Sequence, residues 1–230
     1  MTAAGVVAGW RIGIGRAHEA RVLAAGCVAL GLSISLAVVE RRAGLLGAAS
    51  RVLEGSIFAY LIPIVVLLGS AHVLGQSRLD VAATTVARFG ASRRAVALGF
   101  TLATMLLTAV VSAVVAATAA CIAHDPTAPP LARDVLTTAW IGGLTACAYA
   151  GLYTFGATFG RRGGGRLGCF VIDLVVGSSG TAAAFVLPRG HAENLLGSTA
   201  SLSVAQAVSA PSLALIAILF VLLAIRRCPP

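Results

Sequence analysis

The sequence predicts an all-α membrane protein with six transmembrane helices and both termini in the cytoplasm. Of its 230 residues, 58% are hydrophobic and 11% are charged, whereas a soluble domain carries about 25% charged residues. The mean hydropathy of +0.95 agrees with this class. Six apolar stretches are separated by short loops, none of which is long enough to form a second domain. We therefore expect a single transmembrane domain over residues 1–230.

Each predicted span holds about 20 mostly apolar residues, which is the length that crosses a bilayer. The expected spans are residues 22–39, 57–74, 95–123, 135–159, 167–187 and 204–225. Pro63 falls inside the second span, where we expect a kink. The polar cluster that begins at Glu40 is a poor cleavage context, so the first span is interpreted as a retained helix and not as a signal peptide.

All 17 basic residues are arginine, and their distribution predicts the orientation of the chain. Twelve lie at the termini or in the loops after spans two and four. Five lie in the other loops, namely Arg41, Arg42, Arg51, Arg133 and Arg189. Because arginine-rich loops stay in the cytoplasm, both termini are predicted to be cytoplasmic. The net charge of +9 is then explained by topology, and no nucleic-acid partner is expected.

Interfacial helices are predicted before the first span and after the second. Near the N-terminus, Trp10, Ile12 and Ile14 are interspersed with arginine, and tryptophan is favoured at headgroup level. An unstructured cytoplasmic tail is the alternative there. After span two, apolar residues recur at helical spacing at Leu79, Ala82, Ala83, Val86 and Phe89.

The helix predicted after span two is amphipathic, and its charges suit the helix dipole. Asp80 lies near its beginning, whereas Arg93 and Arg94 lie near its end. Arg88 belongs to the polar face. Two interpretations stay open: a helix that lies against lipid headgroups, or a docking helix for a cytoplasmic partner.

These features resemble the permease subunits of ATP-binding-cassette (ABC) transporters, of the type-2 exporter class. The architecture matches over most of the chain. The sequence likeness rests on residues 78–100, which include Arg88-Phe-Gly-Ala-Ser-Arg-Arg94, and on Gly160-Arg-Arg-Gly-Gly-Gly-Arg166. In that family the loop between spans two and three holds a coupling helix that sits in a groove of the ATPase subunit. The resemblance implies ATPase docking through Asp80, Val86, Arg88, Phe89, Arg93 and Arg94, with Phe89 as the buried anchor.

The resemblance also implies the partners. Two copies of the permease chain and two ATPase subunits form the working exporter in the bacterial inner membrane. ATP and Mg²⁺ are expected on the ATPase, and no cofactor is expected on this chain. The chain has no lysine, which excludes a P-loop ATPase site of its own. Its five cysteines are scattered, so no metal site is expected. No enzyme activity is expected on this chain, because the resemblance assigns the ATPase activity to the partner subunit. The sequence does not indicate the cargo.

The predicted fifth span contains an acidic residue, Asp173. A lone carboxylate in a bilayer is costly unless it faces water or a partner. We therefore expect either a residue of the transport pathway or a structural ion pair, with Arg166 as the nearest candidate. No second ionisable group is expected at the depth of Asp173.

Other functions stay open beside the exporter. Arg162-Gly163-Gly164 resembles a motif of the haem-exporter permease of cytochrome c maturation, and the same bundle would suit a non-transporting scaffold or anchor of an envelope machine. Gly177-Ser-Ser-Gly180 resembles the GxSG motif of rhomboid-type intramembrane proteases, with Ser179 as the nucleophile. That enzyme needs a histidine on a later helix, which the sixth span lacks. Residues 188–197 are expected to form either a short outer helix or a loop.

Overall fold

The computed structural model describes residues 3–17, 19–44, 47–75, 77–88, 90–125, 129–197 and 204–229. Over these ranges the ordered elements are helical and no β-strand is present. The α-helices are α1 (Ala3–Ala17), α2 (Ala20–Arg42), α3 (Ala48–Val52), α4 (Ile62–Leu74), α5 (Leu79–Ala87), α6 (Arg93–Ala123), α7 (Leu131–Gly156), α8 (Gly165–Val176), α9 (Pro188–Leu196) and α10 (Gln206–Arg227). A π-helix covers Leu53–Leu61, and 3₁₀ turns cover Arg161–Gly163 and Ala182–Val186.

Five helical segments in the described ranges are long and apolar enough to cross a membrane. They are α2, the helical run that begins at Ala48, α6, α7 and α10. The 22 residues of α10 give a length of about 33 Å, which exceeds the roughly 30 Å of the hydrocarbon core. The predictions of an all-helical fold and of a multi-pass membrane protein are confirmed. The side of the membrane that each end faces stays a prediction.

A π-helix over Leu53–Leu61 precedes Pro63, and the kink predicted at this proline stays a prediction. Proline has no N–H, and its ring clashes with the carbonyl oxygen four residues earlier. A wider π turn relieves that clash and keeps the helical run continuous. The second span therefore begins at Ala48, nine residues before the predicted position 57.

The central helix of the bundle is α7, which packs closely on two neighbours through glycine. A Cβ added to Gly142 would lie 2.9 Å from the Cβ of Ala116 on α6. A Cβ added to Gly151 would lie 2.8 Å from the carbonyl oxygen of Ala217 on α10. Because glycine has no side chain, these backbones approach more closely than other residues allow. The small residues of α7 therefore serve packing within the chain.

The predicted fifth span, residues 167–187, is wrong as a continuous helix. α8 ends at Val176, and its 12 residues reach about 18 Å, which is too short to cross the hydrocarbon core. The chain then passes through Gly180, which has a φ of +67°. The Ser179 hydroxyl donates to the Val176 carbonyl (2.7 Å). Local serine hydrogen bonds and glycine both compete with helix formation, and here they outweigh the apolar composition.

Of the two alternatives for residues 188–197, a short helix or a loop, the structure has the helix: α9 covers Pro188–Leu196. Pro188 occupies its first turn, where a missing N–H costs nothing. Gly197 ends it in the left-handed conformation, at a φ of +83°. His191 and Asn194 are buried inside the bundle. The amide nitrogen of Asn194 donates to Ser209 Oγ of α10 (2.8 Å), which ties α9 to the last span.

Candidate functional site

The first candidate site is the end of the bundle where α5 packs. Leu79 and Ala83 of α5 are buried in a cluster with residues of α6, α10 and the end of α7, including Val96, Ala157 and Ala224. The backbone N–H of Leu79 donates to the carbonyl of Ala157 (3.2 Å). The elements that lie at this end carry arginines at the start of α6, at the end of α10 and in the neighbouring loops. We call this region the arginine-rich end; it comprises α5, the start of α6 and the ends of α4, α7 and α10.

The exposed surface of α5 carries Arg78, Val81, Thr85 and Arg88, which we call its outer face. Arg78 and Arg88 flank the helix, and all four lie on one side at helical spacing. The Val81 side chain is 53% exposed, which is unusual for valine. The outer face therefore offers an apolar centre between two arginines.

The predicted docking residues of this region do not all belong to the outer face. Val86 packs inward against the buried cluster. Asp80 accepts from Arg78 Nε (3.1 Å). Phe89, the predicted anchor, lies outside the described residues. Of the predicted docking residues that the structure describes, Arg88 alone is exposed.

Arg93 and Arg94 begin α6, after Gly90 has turned the chain with a φ of +90°. Both are half-buried. Arg94 Nε donates to the backbone carbonyl of Cys228 (3.1 Å), so it holds the end of α10 beside the start of α6. Burial, with a smaller effect of Asp80, raises the pKa of the Cys228 thiol to about 11, and the thiol therefore stays protonated at neutral pH.

The glycine-rich run after α7 positions a buried arginine beneath α5. Arg166 is 4% exposed, and its Nη2 donates to the carbonyls of Gly75 (3.1 Å) and Ser77 (2.8 Å). Gly163 has a φ of +69°, and a Cβ there would lie 2.7 Å from Arg166 Nη2. The run therefore needs glycine to let the guanidinium reach the loop before α5. The expected pair between Arg166 and Asp173 is not formed.

The second candidate site lies inside the bundle around Asp173, which is 2% exposed. Its Oδ2 accepts from the Tyr149 hydroxyl (2.7 Å), and its Oδ1 accepts from the backbone N–H of Arg189 (3.4 Å). Arg189 Nε donates to Glu193 Oε1 (2.9 Å). We call Tyr149, Asp173, Arg189 and Glu193 the polar core.

The polar core corrects two expectations from the sequence. One is the assignment of Arg189 to an outer loop, and the other is the expectation of no second ionisable group at the depth of Asp173. The break after Val176 lets the chain return, so that α9 brings both Arg189 and Glu193 to α8. The sequence signal for this is the Gly-Ser-Ser-Gly run at 177–180, which interrupts the apolar stretch.

The depth of the polar core follows from the packing of α8 along α7. The start of α8 lies beside Gly156, since a Cβ there would be 2.9 Å from the carbonyl of Gly165. Tyr149, which contacts Asp173, precedes Gly156 by seven residues, or about 10 Å along α7. A charge at such a depth needs a partner, and the arginine between two carboxylates meets that need.

The serine of the GxSG motif is not placed for catalysis. The Ser179 hydroxyl donates to the Val176 carbonyl and lies 2.9 Å from Thr181 Oγ1. The ring of His191 contacts the Phe185 carbonyl through Nε2 (3.0 Å) and Ser209 through Nδ1 (3.3 Å). Both histidine nitrogens are therefore engaged away from Ser179, and the arrangement of a nucleophile and a base is absent from this pair.

The opposite end of the bundle has a cavity of about 430 Å³. Glu54, Asp125 and Asp134 line it together with Leu195 and Leu196 of α9. Nδ1 of His124 lies 3.2 Å from the Asp134 carboxylate. Within the described ranges, no group of three or more His, Cys, Asp or Glu side chains is arranged to hold a metal ion.

Comparison with protein-family models, with curated proteins and with solved structures gave no match to this chain. The structure therefore defines the class by itself: a helical, multi-pass membrane protein. Within that class its distinguishing features are the outer face of α5, the buried Arg166 that bonds the loop before α5, and the polar core at the broken helix.

Proposed function

We propose that the chain is the membrane-spanning permease subunit of an ABC exporter of the type-2 class, in a bacterial inner membrane. The observation that carries the proposal is the packing of α5. A helix that lies against headgroups buries its apolar face in lipid, whereas Leu79 and Ala83 are buried in protein. This favours the docking interpretation, because protein packing leaves the outer face free for a partner.

The same contacts make α5 suitable for transmitting force. Arg166 joins the loop before α5 to α8, and the Leu79 N–H joins α5 to the end of α7. In the proposed mechanism, closure of two partner ATPases, which bind ATP and Mg²⁺, displaces α5. The connected helices then move as rigid bodies and alternate access to the two sides of the membrane.

The proposed topology includes a sixth crossing made of α8 and α9 together. α9 begins beside Asp173 and ends at the cavity that Asp134 lines, near the opposite end of α7. With this crossing, both termini lie on the cytoplasmic side, as the arginine distribution predicts.

The proposal includes a second permease chain as the partner in the membrane. Leu167, Val171 and Val175 expose an apolar face of α8. The irregular backbone after Gly177 is exposed beside that face. Irregular backbone at membrane depth is tolerated where protein or water covers it, and not against lipid. A second copy of this chain would cover it.

The docking proposal predicts that Arg88→Glu and Val81→Glu each lower the amount of ATPase subunit recovered with the chain by about tenfold or more, because each puts an acidic group into the interface. The ATPase to be probed is one encoded beside this chain. Phe89→Ala is expected to act in the same way from the resemblance. Arg161→Glu, on an exposed arginine outside α5, is the matched control.

Membrane insertion and detergent stability of these variants should equal those of the wild-type chain. Unchanged ATPase recovery and transport in both outer-face variants would contradict the proposal. An ATPase that binds normally but whose hydrolysis never moves cargo would favour the scaffold alternative.

A further inference from the structure

A groove separates the first half of α2 from the rest of the bundle. The buried residues of α2 begin at Ala29 and continue with Ser33 and Ala37, which lie further along the helix. There the Ser33 hydroxyl donates to the Val115 carbonyl of α6 (2.9 Å). Along residues 21–32 of α2, a space of about 360 Å³ lies between α2, α4 and α6. A cavity of about 150 Å³ already holds a benzene ring, so this groove can take a considerably larger apolar group.

The wall of the groove is apolar and faces the bilayer. Its side chains include Val22, Ala25, Leu61, Val65, Leu107 and Val111. The hydroxyl of Thr108 in the wall already donates to the Thr104 carbonyl (2.8 Å). Val28 and Leu68 at its edges are 61% and 53% exposed, so the groove opens sideways toward lipid.

The ionisable side chains of the groove lie at one end. Arg21 and His72 line it there, near the arginine-rich end. His72 Nε2 lies 3.1 Å from the carboxylate of Glu19. Arg21 has no ion pair within 4.0 Å in the described part of the chain. No acidic residue is among the described residues that line the groove.

We propose that this groove binds an anionic phospholipid, with an acyl chain between α2, α4 and α6 and the phosphate at Arg21. The apolar wall matches the acyl chain in chemistry and in its lateral opening. Charge complementarity selects an anionic headgroup, because Arg21 at the end of the groove lacks an acidic partner among the described residues. A second protein copy placed symmetrically here would instead bring another Arg21 toward the first. The site is independent of any ATPase.

Two variants separate the apolar part of the site from its charged part. Gly26→Leu fills the groove, and a Cβ at Gly26 meets no atom within 4 Å, so the helix tolerates it. Gly31→Leu is the matched control, since Gly31 is also in α2, is equally open and does not line the groove. Arg21→Gln removes the charge, and Arg42→Gln at the other end of α2 is its control.

The experiment measures lipid retained by the purified full-length chain, by native mass spectrometry, after exchange into micelles with equal phosphatidylglycerol and phosphatidylcholine. The wild-type chain and both controls should retain phosphatidylglycerol about fivefold over phosphatidylcholine, which is the selectivity that one arginine near a membrane supplies. Arg21→Gln should abolish this preference and leave phosphatidylcholine unchanged. Gly26→Leu should reduce the retention of both lipids.

Three results would overturn the proposal. One is equal retention of the two lipids by the wild-type chain, because the groove would then hold boundary lipid without selecting a headgroup. Another is unaltered retention in Gly26→Leu. The third is a change of oligomeric state in Gly26→Leu, seen by size-exclusion chromatography, with no change in lipid, because a second copy then occupies the groove. The Arg21→Gln measurement decides the headgroup assignment even if Gly26→Leu fails to fold.

Discussion

Two arginines lie inside this bundle, and their charges are accommodated in different ways. Arg166 lies at the arginine-rich end and donates to the backbone carbonyls of Gly75 and Ser77. Arg189 lies deeper and binds the carboxylate of Glu193, while its backbone N–H reaches Asp173. Neutral carbonyl dipoles surround the first guanidinium, whereas the second donates both to the Glu193 carboxylate (2.9 Å) and to the Leu174 carbonyl (3.2 Å).

The difference follows from depth. Near the end of the bundle, water and headgroups lie close, and carbonyl dipoles are sufficient for a buried cation. Farther inside, the penalty for an uncompensated charge grows, and a counter-ion is needed. Arg166 therefore holds the loop before α5 against α8. Arg189, in contrast, belongs to a cluster of charged groups that stabilise one another.

The largest effect is expected from Arg189→Ala, which leaves Asp173 and Glu193 inside the bundle without their cation. Breaking a buried ion pair from one side costs about 3–5 kcal/mol. We expect a loss of this order in the free energy of unfolding, measured by titration with a denaturing detergent in mixed micelles. Arg41→Ala is the control, because Arg41 is an exposed residue that donates to the Ile122 carbonyl. Equal losses in the two variants would contradict the assignment of Arg189 to a buried charge cluster.

A smaller loss is expected from Tyr149→Phe, which removes the hydroxyl that donates to Asp173. A hydrogen bond to a charged group contributes about 1.5–3 kcal/mol. The neighbouring Tyr153 is the matched control, since its buried hydroxyl has no hydrogen-bond partner among the described residues. Tyr153→Phe should leave the unfolding free energy unchanged or raise it. Should Tyr153→Phe prove the more damaging of the two, the assigned network of the polar core is wrong.

The smallest effect is expected at the shallow arginine, through Gly163→Ala. The positive φ of Gly163 costs other residues about 1–2 kcal/mol, and the added methyl group displaces the Arg166 guanidinium. Gly168→Ala serves as the control in the same region, because a Cβ there meets no atom within 4 Å. That control should stabilise α8 by about 0.5–1 kcal/mol. Changes of opposite sign in the free energy of unfolding of the two variants would confirm that Arg166 stabilises the loop before α5. Changes of the same sign would refute it.

The sequence predicted the long helices well because apolar length decides whether a helix spans a bilayer. It predicted the start of α6 within two residues of position 95, since the arginines mark that boundary. It did not predict the break in the fifth span, because four glycine and serine residues sit in an apolar stretch whose average stays high.

The candidate site was predicted in part. The apolar spacing of Leu79, Ala82 and Ala83 revealed α5, but spacing cannot tell whether that face meets lipid, partner or the chain itself. Asp173 was recognised because a carboxylate is rare in a span. Its partners were missed because Arg189 and Glu193 are distant in sequence by 16 residues or more and approach through a turn.

The bond between Arg94 and Cys228 joins residues 134 positions apart, which sets an order of events during synthesis. The start of α6 leaves the ribosome long before the last residues of α10 exist. At about 5–20 residues per second, the interval is roughly 7 to 27 seconds. Throughout that time the buried cluster that contains Leu79 and Ala83 of α5 lacks Ala224 and Cys228. If an ATPase docks on the outer face as proposed, it would therefore assemble with chains that include α10 and not with chains that end before it.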